Sequence, residues 1–175
     1  MKIANYLFNL FRFGMLKVKG RYLGSVIQAI HISTIIYVKD GKLLIKDRLR
    51  CRNGCYISAG TGYLEIGEGC FFNQGLNLVS KEKIILGNNI IIGPNTVIVD
   101  HDHDYKNKDR QNQFTTAPII IGDNVWIGAN VVIMKGTVIG ANSVIGAGSV
   151  IKGEFPEYSL IYQERVTKIK RIEAK

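Results

Sequence analysis

The sequence predicts an all-β chain folded as a parallel β-helix, on three observations: a six-residue apolar beat, an excess of glycine and a scarcity of proline. From Ile121 the chain reads IGDNVW, IGANVV, IMKGTV, IGANSV, IGAGSV, which sets Ile121, Ile127, Ile133, Ile139, Ile145 and Ile151 six residues apart. The same beat occurs upstream at Ile45, Cys51 and Ile57, at Ile66, Phe72 and Leu78, and at Leu86, Ile92 and Ile98. A period of six cannot hold one stripe on a helix turning about 100° per residue, but it is a whole multiple of the strand period of two. Short strands therefore aim these residues inward. Small residues four places later, at Thr137, Ser143 and Ser149, mark a turn in each block. Three blocks close a triangular coil, and coils stack about 4.8 Å apart like strands of a parallel sheet. Glycine supplies 19 of 175 residues and proline 3, as expected where backbone must be permissive without losing donors.

Residues 1–20 read as a helical cap. Ile3, Leu7, Leu10, Phe11, Gly14 and Met15 follow helical spacing, with Asn5, Asn9 and Arg12 elsewhere. The apolar side is expected to pack on the first coil, with docking on an anionic membrane as its other role. Asn5, Asn9 and Arg12 interrupt any apolar stretch of spanning length, so neither a signal peptide nor a transmembrane helix is expected. Residues 21–152 form the β-helix. Coil starts at Ile45, Ile66, Leu86, Ile121 and Ile139 are 21, 20, 35 and 18 residues apart. The long gap leaves residues 104–120 as an excursion, and a coil interruption of that length is a place for function. Residues 153–175 read as a short strand and a basic tail.

One domain fits this length, and 46% hydrophobic with 21% charged residues excludes a disordered or collagen-like chain. The net charge of +9 suits a nucleic acid, an anionic membrane, a polyphosphate cofactor or an acidic glycan. No interleaved aromatic and basic motif supports the first of these, so no nucleic acid is expected. Cys51, Cys55 and Cys70 are too few and too odd in number for a disulfide scaffold, which points to reduced thiols in a cytoplasmic protein. Cys51 falls in the inward column and Cys70 in the small-residue column, so packing accounts for both.

Chemistry gathers just before the excursion, in TVIVDHDHDY. His101 and His103 are two of only three histidines and stand among Asp100, Asp102 and Asp104. Such a cluster can be a polar loop mouth, a general base oriented by carboxylates, or a metal site. Its position where the repeat opens favours the base. The glycines of IGAGSV keep the six-residue register and lack a phosphate-loop lysine, so they read as structural. Trp126, the sole tryptophan, is either an apolar cover or a ligand contact.

From about Lys42 to Ile151 the chain resembles the hexapeptide-repeat acetyltransferases, nearest to the maltose and galactoside O-acetyltransferases and the capsule or lipopolysaccharide O-acetyltransferases. The residues that carry the resemblance are IGPNTVIVDHDHDY and IGDNVWIGANVVIMKGTVIGANSVIGAGSVI. It implies a left-handed β-helix, a homotrimer with sites between subunits, acetyl-CoA as donor and no required metal. The implied acceptor is a sugar hydroxyl of a surface polysaccharide or its precursor, met in the cytoplasm or at the inner face of the membrane. The family's catalytic histidine, eight places after an asparagine, matches His103 counted from Asn95, with His101 as the alternative. Its tryptophan beside the pantetheine arm matches Trp126, and its small groove residues match Ala129 and Ala147. Its acceptor-site asparagine matches Asn73, Asp100 and Asp102 are expected beside the same acceptor, and Asp100, Asp102 and Asp104 are candidates to fix the histidine tautomer. Two positions depart from the pattern. Asp104 replaces a proline after the histidine, and IYQERVTK replaces the usual G-N-P-A-K, which gives the nucleotide end of the donor to Arg165 and Lys168. The rival readings are N-acetylation of an amino sugar, a metal-dependent enzyme of the γ-carbonic anhydrase kind, which needs three convergent histidines and has His31 far from the other two in sequence, and a non-catalytic scaffold.

Overall fold

The inward residues of successive coils lie directly over one another, and this register builds three flat parallel sheets around a triangular core. The structure, a computed structural model, describes residues 3–171. The end residues of the expected cap and tail, 1–2 and 172–175, lie outside the described residues. On the first face Gly24, Ile45, Ile66, Leu86, Ile121, Ile139 and Phe155 stack in register. The second face stacks Ile30, Cys51, Phe72, Ile92, Ile127, Ile145 and Ile161. The third stacks Ile36, Ile57, Leu78, Ile98, Ile133 and Ile151. The two outer faces of the chain order thus hold seven strands each and the third holds six, all parallel. The expected parallel β-helix is borne out.

Both ends of the solenoid run further than the visible beat. Gly24, Ile30 and Ile36 are also six apart, but the first of them is a glycine and the others stand in a run dense with apolar residues such as Val26, Ile27, Ile32 and Ile35, which hides the beat. Past Ile151 the strands Glu154–Phe155 and Leu160–Ile161 continue the first and second faces. The boundary expected at residue 152 therefore moves beyond Ile161, because one shortened turn between Ile151 and Phe155 breaks the count without breaking the ladder.

Turns use two devices. Asn89, Asn124 and Asn142 take positive φ of 55°, 57° and 59°, a region that asparagine tolerates. Their side chains bond coil to coil, with Asn89 Nδ2 donating to Asn124 Oδ1 at 3.2 Å and Asn124 Nδ2 to Asn142 Oδ1 at 3.1 Å. The glycines that follow the inward residue serve close stacking. A Cβ at Gly128 would stand 2.6 Å from the amide nitrogen of Ala147 in the next coil.

The helix Ile3–Val18 covers the open end of the first coil, but with the opposite face from the one expected. Asn9 and Phe13 are its buried residues, whereas Ile3, Leu7, Leu10, Phe11 and Met15 are exposed. The reason is the solenoid edge. First-coil carbonyls have no preceding coil to satisfy them, and the helix brings donors. Asn9 Nδ2 donates to the Ile30 carbonyl at 2.7 Å and Arg12 Nη1 to the Thr34 carbonyl at 2.6 Å. Burial pulls the Arg12 pKa down to about 10, which leaves it charged at neutral pH. Phe13 stacks on Tyr22 with ring centroids 4.6 Å apart.

The register makes a sharp stability contrast. Phe72 is fully buried in the second-face column and its coil neighbour Ile91 points outward. Phe72→Ala should cost about 3–5 kcal/mol in urea unfolding, and Ile91→Ala within about 0.5 kcal/mol as a surface change.

Candidate active site

The fourth coil opens at Asp100 and closes again at Ala117, whose N–H donates to the Asp100 carbonyl at 3.0 Å. The excursion therefore comprises residues 101–116, not 104–120. Ile119 and Ile120 belong to the first face. Its two arms, His101–His103 and Phe114–Thr116, pair antiparallel, with His101 opposite Thr116 and His103 opposite Phe114.

Asp100 holds the base of this hairpin. The residue is wholly buried. Its carboxylate accepts from Ser80 Oγ at 2.9 Å and from the amides of Lys81, Glu82 and Lys83 at 2.8–2.9 Å. It also meets His101 Nδ1 at 3.1 Å. Its expected place on the acceptor side is corrected accordingly: its oxygens are spent on the corner of the preceding coil, out of reach of any acceptor.

Strand alternation sorts the other residues. His101 and His103 share one side of their strand and flank the Phe114 ring, with centroids 5.5 Å and 4.6 Å from it. Lys81 Nζ stands 3.6 Å from the centre of that ring, a cation–π contact. Asp102 points the other way and pairs with Lys135 Nζ at 3.3 Å. Lys135 also donates to the Thr115 carbonyl at 3.0 Å, tying both arms to the solenoid. Asp104 accepts from the Lys106 amide. Of the three aspartates, then, Asp100 alone bonds a histidine, and that histidine is His101.

His103 is oriented by the loop itself. Its Nδ1 lies 2.7 Å from the Arg110 carbonyl. A carbonyl only accepts, so Nδ1 carries the proton and Nε2 presents a bare lone pair. The same logic gives His101 this tautomer through Asp100, but its side chain is only 15% exposed, whereas His103 is exposed. Lys81, Arg110, Phe114 and Lys135 escaped the sequence reading. The one available signal was an aromatic and two threonines at the end of a polar loop.

A second feature lies at the corner between the second and third faces. Asn73, Gly93, Gly128, Ala129, Gly146 and Ala147 line a groove of about 420 Å³ floored by Phe71, Ile91 and Trp126. Trp126 is 56% exposed. The Arg165 guanidinium reaches the Gly148 carbonyl beside this groove, and Lys168 follows on the same exposed tail. The structure thus unites Asn73, Trp126, Ala129 and Ala147, and sets the histidines past the third face at another corner. His31 sits on the first coil, its Nδ1 2.8 Å from Ser33 Oγ. Among the described residues of one chain no three metal-ligating side chains converge.

Residues 118–153 match the family described as bacterial transferase hexapeptide (six repeats). The chain is 39% identical over 85 residues to galactoside O-acetyltransferase of Escherichia coli (strain K12), a stretch covering 48% of this chain and 41% of that one. The chain spans less than half the length of that curated relative. A hexapeptide-repeat acetyltransferase of Vibrio cholerae O1 biovar eltor, solved with acetyl coenzyme A, aligns at TM-score 0.56 and 25% identity over 91% of this chain and 82% of that one. A maltose O-acetyltransferase of Clostridium difficile 630 aligns at TM-score 0.54 and 27% identity, over 90% and 73%. The resemblance to this branch is borne out.

The corner analysis sets a test. Asp100→Ala should destabilise the protein by at least about 2 kcal/mol, since each buried donor left unpaired costs about 1–3 kcal/mol. Urea unfolding measures this, and Asp102→Ala on the exposed side should cost under about 1 kcal/mol.

Proposed function

We propose that this chain transfers acetyl from acetyl-CoA to a hydroxyl of a sugar, within a surface polysaccharide or its precursor. The observation that carries the proposal is the Arg110 carbonyl on His103 Nδ1, which leaves Nε2 as an exposed base. Sequence likeness to O-acetylating relatives supports a hydroxyl over an amine as acceptor. The groove fits a narrow thioester arm, because its wall is glycine and alanine and its floor includes the exposed Trp126 ring.

In this reading His103 Nε2 takes the hydroxyl proton as the oxygen attacks the thioester carbonyl. The oxyanion is held by a backbone N–H near Ala129, as the family resemblance implies. The C–S bond then breaks, the imidazolium returns its proton to the leaving thiolate, and an acetyl ester and free CoA depart. Trp126, Ala129 and Ala147 guide the arm. Arg165 and Lys168 meet the donor's phosphates, and Asn73 and the outer edge of the hairpin meet the acceptor.

Groove and histidine occupy different corners of one prism, which supports a homotrimer whose sites lie between copies, His103 from one and the groove from the next. The trimer would weigh about 58.5 kDa, three times 19.5 kDa. Thiol release from acetyl-CoA over a panel of sugars and oligosaccharides tests the activity. Loss of a positioned base typically costs 10²–10⁴-fold, so His103→Ala should lose turnover on that scale at unchanged trimer mass, with His101→Ala milder. Full activity of His103→Ala overturns the assignment, and a collapse confined to His101→Ala moves the base two residues upstream.

A further inference from the structure

The N-terminal helix is inverted. The face it turns to the solenoid carries Asn5, Asn9, Arg12, Phe13 and Leu16, and the exposed remainder of the helix carries one charge, Lys17 in its last turn. On that outer face Ile3 is 80% exposed, Leu7 62%, Phe11 68% and Val18 90%. They sit about 100° per residue around the helix, so Ile3, Leu7, Phe11, Gly14 and Val18 share one side. Sixteen residues give an apolar ridge about 24 Å long at the end of the prism. An apolar face this continuous is not left to water without a partner.

Charge selects the partner. The first 39 residues hold Lys2, Arg12, Lys17, Lys19, Arg21 and Lys39 and not one aspartate or glutamate. Two such ends brought together would set like charges against each other, which disfavours a second copy as occupant. An anionic lipid surface is complementary to both features: its acyl region takes the ridge and its headgroups take the exposed Lys17 and Lys19. The helix is too short and too polar on its inner face to cross a bilayer, and no helix among the described residues is long and apolar enough to do so.

We propose that the outer face of the helix Ile3–Val18 docks the protein flat on an anionic membrane, with the solenoid standing off the surface. The inference goes beyond the acetyl-transfer reading and does not rest on it, since binding is measured without donor or acceptor. It places the enzyme where a lipid-anchored acceptor would be met.

The test is sedimentation of the full chain with vesicles of phosphatidylglycerol and phosphatidylcholine in equal parts, against phosphatidylcholine alone. The chain should pellet with the anionic vesicles and be released at about 1 M salt, where screening shortens to ~3 Å. The double variant Leu7→Glu with Phe11→Glu should lower partitioning at least tenfold, and Lys17→Glu with Lys19→Glu should abolish the preference for anionic lipid. Both pairs are solvent-facing, and an unchanged melting temperature checks the fold. Should a variant melt early, the wild-type comparison of the two vesicles still decides. Failure of the wild-type chain to bind anionic vesicles overturns the proposal. So does wild-type binding by the Leu7→Glu, Phe11→Glu pair, or a fall in particle mass of that pair without lipid, which would assign the face to a second copy.

Discussion

Every other feature of this molecule depends on one repeated contact: an inward apolar side chain resting on its counterpart one coil away, with backbone ladders bonding the same two coils. Ile45, Ile66, Leu86, Ile121 and Ile139 form one such column, and the spacing between them varies in sequence while the stacking does not. Each coil is stabilised only by its neighbours. Consequently the chain tolerates insertions at corners, where turns already leave the ladder, and tolerates nothing within a face. The 16-residue excursion enters at such a corner, and its price is a buried carboxylate, Asp100, that binds three amides of the coil before it.

That placement gives the histidines their geometry. Alternation along the arm His101–His103 sends both imidazoles to Phe114 and sends Asp102 to Lys135. The loop's own carbonyl at Arg110 then sets the tautomer of His103. A rigid solenoid thus holds the His103 imidazole on a short, doubly anchored hairpin. The same rigidity keeps the groove of Ala129 and Ala147 on a different edge of the prism, and in the proposed reading the site is completed by the assembly of copies.

The fold was legible because a strict period leaves few alternatives: a beat of six is incompatible with helix and compatible with a three-sided coil. Trp126, Ala129 and Ala147 were assigned to the donor and Asn73 to the acceptor through the family resemblance, and the structure brings all four to one groove because corner positions stack from coil to coil. Orientation against a solenoid end was not legible. Helical spacing marked Ile3, Leu7 and Phe11 as one face, but the partner surface is a row of free carbonyls, so Asn9 and Arg12 won the inner side. Asp100 was misread for a related reason. In sequence it is one of three similar aspartates, and only the corner amides of a coil twenty residues earlier distinguish it. Lys81, Phe114 and Lys135 act through contacts across coils, which no local pattern records.

The central claim is that a histidine from one copy serves the groove of another, and mixing two inactive variants tests it most directly. His103→Ala removes the base, and Ala147→Trp fills the groove. Each alone should be inactive in acetyl-CoA thiol release with the acceptor identified for the wild type. Co-expressed in equal amounts and assembled at random, they should regain about a quarter of wild-type turnover, because one junction in four pairs an intact histidine with an intact groove across a heterologous interface. A mixture as inactive as its two components would contradict the shared site.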